Sequence, residues 1–138
     1  MRWIAWVLGT IALAGCPTVD YGQIPGDIGA CNPVGGETYF DDHIWPEYLA
    51  APSTLQPGRT CLDSGCHGHG AFSGGLGFDV TNPTSSTNYR AAQNEISCDA
   101  PDASKLLTWP EAGVDPHGGG DLFAPTDPQV QTFLAWFQ

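Results

Sequence analysis

The segment Cys61-Leu-Asp-Ser-Gly-Cys66-His67, with two isolated cysteines at Cys31 and Cys98, constrains this chain more than any other feature. Helix breakers surround it: glycine (18) and proline (12) supply about 22% of the residues, just under the level that signals disorder. A chain of this kind forms short elements joined by long loops and needs something besides its own core to hold it. Cys16 closes an N-terminal apolar run and is set aside, which leaves four cysteines and three possible pairings; sequence does not choose among them. Cys31 and Cys98 are natural disulfide partners where the close pair has its own use, because an unpaired structural thiol is unusual in an oxidising compartment.

Residues 1–16, MRWIAWVLGTIALAGC, carry one positive charge at Arg2, an apolar run from Trp3 to Ala14 and small residues leading into a cysteine, the layout of a secretory signal peptide. As a helix that run spans about 18 Å, short of the roughly 30 Å hydrocarbon core of a bilayer. Leu13-Ala14-Gly15-Cys16 resembles the bacterial lipobox, which implies cleavage before Cys16, a diacylglycerol on its thiol, and a place in the cell envelope. Acyl chains hold a soluble domain at a membrane at about 0.8 kcal/mol per buried methylene. Pro17 does not look like the aspartate that often retains lipoproteins at the inner membrane, so the outer membrane or periplasmic face is expected.

Cleavage leaves 123 of 138 residues, enough for one domain. The formal charge is −11, and loss of Arg2 leaves 3 basic against 15 acidic side chains. Such a surface repels phosphate backbones, which argues against nucleic acid, and suits a basic patch on a protein partner.

Three regions follow: the signal peptide (1–15), a lipidated tether (16–36) rich in Gly, Pro and Asp, and a domain over 37–138. Tyr39, Phe40, Ile44, Trp45 and Tyr48 recur at helical spacing over 38–49, where Pro46 should kink the helix or start a new turn. Ser86 or Thr87 caps a helix to about Ile96, and Pro101 opens a shorter one over Ser104–Leu107. Between Gly113 and Pro125 lies a long polar loop containing His117-Gly118-Gly119-Gly120. The clearest helix is the last, capped by Thr126 or Asp127 and opened by Pro128, with Val130, Phe133, Leu134 and Phe137 on one stripe. The elements are helices throughout, so the expected class is all-α and loop-rich.

Two cysteines followed directly by histidine are what covalent haem attachment requires, normally as C-x-x-C-H. Here four residues separate the thiols, which would turn Cys66 off the shared face of a regular helix, so the insert must bulge; Asp63, Ser64 and Gly65 are turn formers that allow it. The competing readings are a Cys61–Cys66 disulfide loop, a zinc site of Cys61, Cys66, His67 and His69, and a thiol redox pair; free thiols for zinc are uncommon outside the cytoplasm, and redox motifs use two intervening residues.

From His67 onward, CHGHGAFSGGLGFD, then Asn88-Tyr89, APDASKLL, HGGG and a terminal FLAWF follow in order. Over about residues 37–138 the chain resembles small single-haem c-type cytochrome domains, including the planctomycete-type ones. That resemblance implies a cytochrome c-like fold around one covalent haem c on Cys61 and Cys66, His67 as proximal iron ligand, a distal ligand from the HGGG loop, and single-electron transfer with redox partner proteins rather than catalysis. The four-residue spacing and a distal histidine in place of methionine depart from the family.

Methionine is excluded as the far ligand by counting, since the only one, Met1, leaves with the signal peptide. His69 is tied to the face of His67, and His43 sits in the first helix near Phe40 and Trp45. His117, flanked by a proline and three glycines, lies where backbone approaches a porphyrin closely. His117 is therefore the expected second ligand, and a His/His pair implies a comparatively low potential. Trp45, Trp109, Phe123 and Trp136 are candidate haem walls, and Arg59 and Lys105 candidate partners of the propionates. Two rivals remain: a haem-free lipoprotein with disulfides Cys61–Cys66 and Cys31–Cys98 that binds a protein, and an open-iron enzyme or gas sensor.

Overall fold

The computed structural model describes residues 30–68 and 76–138; the signal peptide, Cys16, most of the tether and His69 lie outside these residues. Four short α-helices dominate: α1 (Gly36–Tyr39), α2 (Ser86–Gln93), α3 (Lys105–Thr108) and α4 (Pro128–Ala135). A π-helical stretch, Phe40–Leu49, continues directly from α1, and a 3₁₀ turn, Pro101–Ala103, precedes α3. Most of the other described residues are loop. Among the described residues no helix is long and apolar enough to cross a membrane.

The Phe40–Leu49 stretch differs from the expected kink. Pro46 has no N–H to give to a regular helical ladder, and the backbone widens into the i→i+5 pattern, closed by Ala50 N–H donating to the Trp45 carbonyl at 2.9 Å. The wider turn carries the chain past proline without a break and turns Phe40, Ile44, Trp45, Tyr48 and Leu49 inward, all of them buried.

Helix α4 lies across this stretch and brings the central aromatic cluster together. Phe40 sits 5.7 Å from the Trp136 ring and 5.8 Å from Tyr89, and Tyr48 sits 5.3 Å from Phe133. Trp136 is fully enclosed, and its indole N–H donates to the Gly36 carbonyl at 2.9 Å, so the ring buries its area without stranding its polar edge. Tyr48 does the same, its hydroxyl donating to the Leu106 carbonyl at 2.5 Å. The expected stripe on α4 holds, with Val130 and Phe133 buried and Leu134 and Phe137 partly so; Trp136, just past the helix, is buried beside them.

Both boundaries of α2 shift. Helix α2 is capped by Ser85, whose hydroxyl accepts from Thr87 N–H at 3.2 Å, and ends at Gln93 instead of Ile96. At α4 the Asp127 carboxylate caps no helical amide; it accepts from Ala124 N–H and from the Thr54 hydroxyl, fastening the preceding loop.

The last residues of the composition-defined tether belong to the domain. Cys31 is disulfide-bonded to Cys98, its carbonyl accepts from the Gln93 amide at 2.9 Å, Asn32 accepts from the Tyr89 hydroxyl, and Gly35 N–H donates to the Trp136 carbonyl at 3.0 Å. The disulfide spans 67 positions; closing a loop of that size in the unfolded chain stabilises the fold by roughly 4 kcal/mol. Replacing both Cys31 and Cys98 by serine is expected to lower unfolding stability by about 2–4 kcal/mol, read as a shift in urea midpoint.

Candidate functional site

The site is assembled from three loops held by distant hydrogen bonds. The first, Thr60–Gly68, is a series of turns with no helix. Asp63 N–H donates to Thr60, Cys66 N–H to the Asp63 carbonyl at 2.8 Å, and His67 N–H reaches back to the Cys61 carbonyl at 3.1 Å. That last bond spans six positions and folds the four-residue insert outward, so the ends of the C-x-x-x-x-C-H segment meet. Asp63 anchors the bulge through Thr60 and Arg59. Gly68 is required by space: a Cβ there would collide with the Leu62 carbonyl oxygen.

The second loop, Leu76–Pro83, orients His67. Its ring Nδ1 lies 2.9 Å from the Leu76 carbonyl, and Phe78 N–H donates to the His67 carbonyl at 2.8 Å. Asn88 on α2, 1% exposed, fixes this loop by donating to the carbonyls of Asp79, Asn82 and Pro83 and accepting from Asp79 N–H.

The third loop rises from a closed base, where Leu122 N–H donates to the Pro110 carbonyl at 2.8 Å and Ala112 N–H to Phe123 at 2.9 Å. His117 stands in it, with ring Nδ1 3.0 Å from the Gly120 carbonyl. Close backbone approach is required here, since a Cβ on Gly119 would lie 3.1 Å from the His117 ring.

The two histidine rings are near-parallel, with centroids 6.1 Å apart and planes within 8°. Each Nδ1 meets a carbonyl, which only accepts, so each Nδ1 carries the proton and each Nε2 keeps its lone pair. Metal–imidazole bonds are about 2.0–2.1 Å long, which puts the centroids of two ligands across one metal ion roughly 6.3 Å apart. The observed spacing fits that arrangement. The carbonyl bonds are also the outer-shell contacts that orient ligating histidines.

Both rings line an apolar cleft walled by Leu49, Leu76, Phe78, Leu106 and Pro110, and a second, more polar cleft that adjoins it. Cys61 opens on the first and Cys66 on the second. Neither is in a disulfide. Burial pushes the Cys61 thiol up to about 12, with Cys66 adding to the effect, so at neutral pH it is a neutral S–H. The Cys66 sulfur accepts from the Arg59 guanidinium at 3.2 Å. Two thiols and two imidazoles bordering these adjoining clefts are the donor set that a covalently held iron porphyrin requires. Among the described residues no group of three or more His, Cys, Asp and Glu side chains is placed to hold a bare metal ion.

The buried thiol has a consequence for alkaline stability. The folded, haem-free chain holds the Cys61 proton more tightly than an unfolded chain, whose thiol has its ordinary value near 9.0. This contribution, on the order of 4 kcal/mol, is full below pH 9 and lost as pH rises to about 12. Tyr48, raised well above 10.0 mainly by burial, acts in the same direction. Urea midpoints of haem-free protein are expected to fall between pH 9 and 12, and less steeply in Cys61→Ser.

Of the candidate walls, only Trp109 lines the clefts. Trp45 packs between Phe40 and Phe78, Phe123 against Tyr48, and Trp136 in the central cluster, so these three are core. Lys105 lines the first cleft, 5.4 Å over the Trp109 ring, and Arg59 lines the second. His43 is on the surface, paired with Glu47 at 3.1 Å and with no part in either cleft. Sequence reasoning missed Leu76, Phe78 and Pro110 as walls, which carry no chemical signature of their own. No protein-family model matches the chain, and neither a curated protein nor a solved structure is significantly similar to it.

Proposed function

We propose that the chain is an envelope lipoprotein, tethered to a membrane through a lipidated Cys16, that carries single electrons on one covalently bound haem c. The observation that carries this reading is the pair of parallel imidazoles, 6.1 Å apart, each with Nε2 free and both beside two unpaired thiols. In attachment, the S–H of Cys61 and of Cys66 would each add across a porphyrin vinyl group, sulfur to one carbon and hydrogen to the other, with no change in oxidation level. His67 and His117 would hold the iron. Bound there, the haem supplies one-electron Fe(III)/Fe(II) chemistry.

The chain's own residues fix that chemistry. Carbonyl acceptors at Leu76 and Gly120 hold both rings in the Nδ1–H tautomer and raise their donor strength, which favours the ferric state and a comparatively low potential. Leu49, Leu76, Phe78 and Leu106 exclude water from one side. Arg59 and Lys105 are two of the three cations left in the mature chain and sit at the clefts, suited to the propionates. With both imidazoles on the iron, no position would stay open to substrate, which supports a carrier over an enzyme. The acidic surface suits a redox partner that docks through a basic patch.

Protein matured in a host with an envelope haem-attachment system is expected to give a c-type pyridine haemochrome spectrum and an intact mass raised by one haem. A mass equal to the lipidated polypeptide less the hydrogens of two disulfides overturns this reading and leaves a haem-free lipoprotein.

A further inference from the structure

The loop that carries His117 is gripped from outside by a side chain 61 positions earlier in sequence. The Gln56 amide nitrogen donates both hydrogens, to the Gly119 carbonyl at 3.1 Å and the Asp121 carbonyl at 2.8 Å. Both acceptors are carbonyls, so the amide has one orientation that satisfies them. Between them lies Gly120, at φ +75°, whose carbonyl fixes the His117 ring and whose N–H donates to the His117 carbonyl at 2.8 Å. A Cβ on Gly120 would stand 2.6 Å from the Gln56 nitrogen, so glycine is what lets the amide straddle the turn.

Gln56 is itself held on a fastened base. Its N–H donates to the Ser53 hydroxyl at 2.8 Å, its carbonyl accepts from Arg59 N–H at 3.0 Å, and Ser53 N–H donates to the Arg59 carbonyl at 2.7 Å. The Ser53 hydroxyl and Thr54 N–H both bond the Leu122 carbonyl at the foot of the His117 loop. The grip is therefore rigid on both sides.

We propose that Gln56 is the positioning residue that keeps His117 at the iron and so closes the distal face to exogenous ligands. This deepens the bis-histidine reading and rests on it. When His117 leaves together with its loop, both amide hydrogen bonds break. Gln56→Glu keeps the shape and the backbone bonds but has no hydrogens to give; Gln56→Ala removes the side chain.

The test uses matured holoprotein and carbon monoxide as the probe of the ferrous iron. Both Gln56 variants are expected to bind it about tenfold faster than the parent, since His117 dissociates more often when two hydrogen bonds are lost. Gly120→Ala, which pushes the same amide off from the other side, is expected to do likewise. A merely structural Gln56 would lower the thermal midpoint and leave the carbon monoxide rate unmoved, and that result overturns the proposal. Equal rates in the parent and both Gln56 variants, with His117→Ala open to the gas, overturn it while the bis-histidine reading stands. A His117→Ala protein that keeps the parent spectrum and rate removes that reading and the proposal together.

Discussion

Replacing Cys61 and Cys66 together by serine is expected to abolish covalent pigment: acidified solvent strips all haem from the double variant and none from the parent. Among the described residues, the two sulfurs are the only groups in the two clefts suited to add to a vinyl carbon, since the others lining them are apolar, imidazole, carboxylate, cationic or backbone. Each single variant is expected to retain haem through the remaining thioether, with its pyridine haemochrome α band moved to the red because one vinyl group stays conjugated. The variants should not be equivalent in stability. Cys61 is buried against the core, whereas Cys66 is partly exposed and its sulfur meets only the Arg59 guanidinium among polar partners. Placing a hydroxyl at 61 therefore costs about 1–3 kcal/mol in the haem-free protein, and at 66 very little. Pigment that stays covalent in the double variant sinks attachment through this segment.

The fold was legible where periodicity and caps agree. Pro128 with its apolar stripe specified α4 to within a residue or two, and the cysteine bookkeeping pointed to Cys31 with Cys98. The π-helical passage over Pro46 was not legible, because the pattern of apolar residues is much the same for i→i+4 and i→i+5 ladders over ten residues, and only the tertiary cost of a kink decides. Aromatic residues misled for a related reason. Trp45, Phe123 and Trp136 look alike in sequence as core or as cofactor wall, and which they become depends on the side of the π-helical stretch and α4 they face. The proline and three glycines beside His117 set it apart from His43, and the structure places it on the clefts with His67 while His43 is on the surface. What no local pattern contains is the grip on them: the Leu76 carbonyl reaches His67 from nine positions on, and Gln56 reaches Gly119 across 63.

His117→Ala is expected to change the iron's spin state outright. Under the proposed reading, two imidazoles hold a six-coordinate, low-spin haem in the parent; with one removed, the ferric protein is expected to become high-spin and the ferrous protein to take up carbon monoxide at once. The potential should rise, because an imidazole that favours ferric iron has gone. His117→Met separates ligand identity from mere occupancy: a thioether at the same place is expected to restore a low-spin spectrum while keeping the potential above the parent's. Gly118, Gly119 and Gly120 leave room for this exchange, since the loop's own hydrogen bonds run through backbone and Gln56, with the ring contributing one, from Nδ1 to Gly120. His43→Ala is the matched control. That imidazole is paired with Glu47 on the far helix surface, and its removal should leave spectrum and potential where they were. If instead His43→Ala turned the haem high-spin and His117→Ala did not, the parallel rings would be a packing contact and the far ligand would come from the first helix.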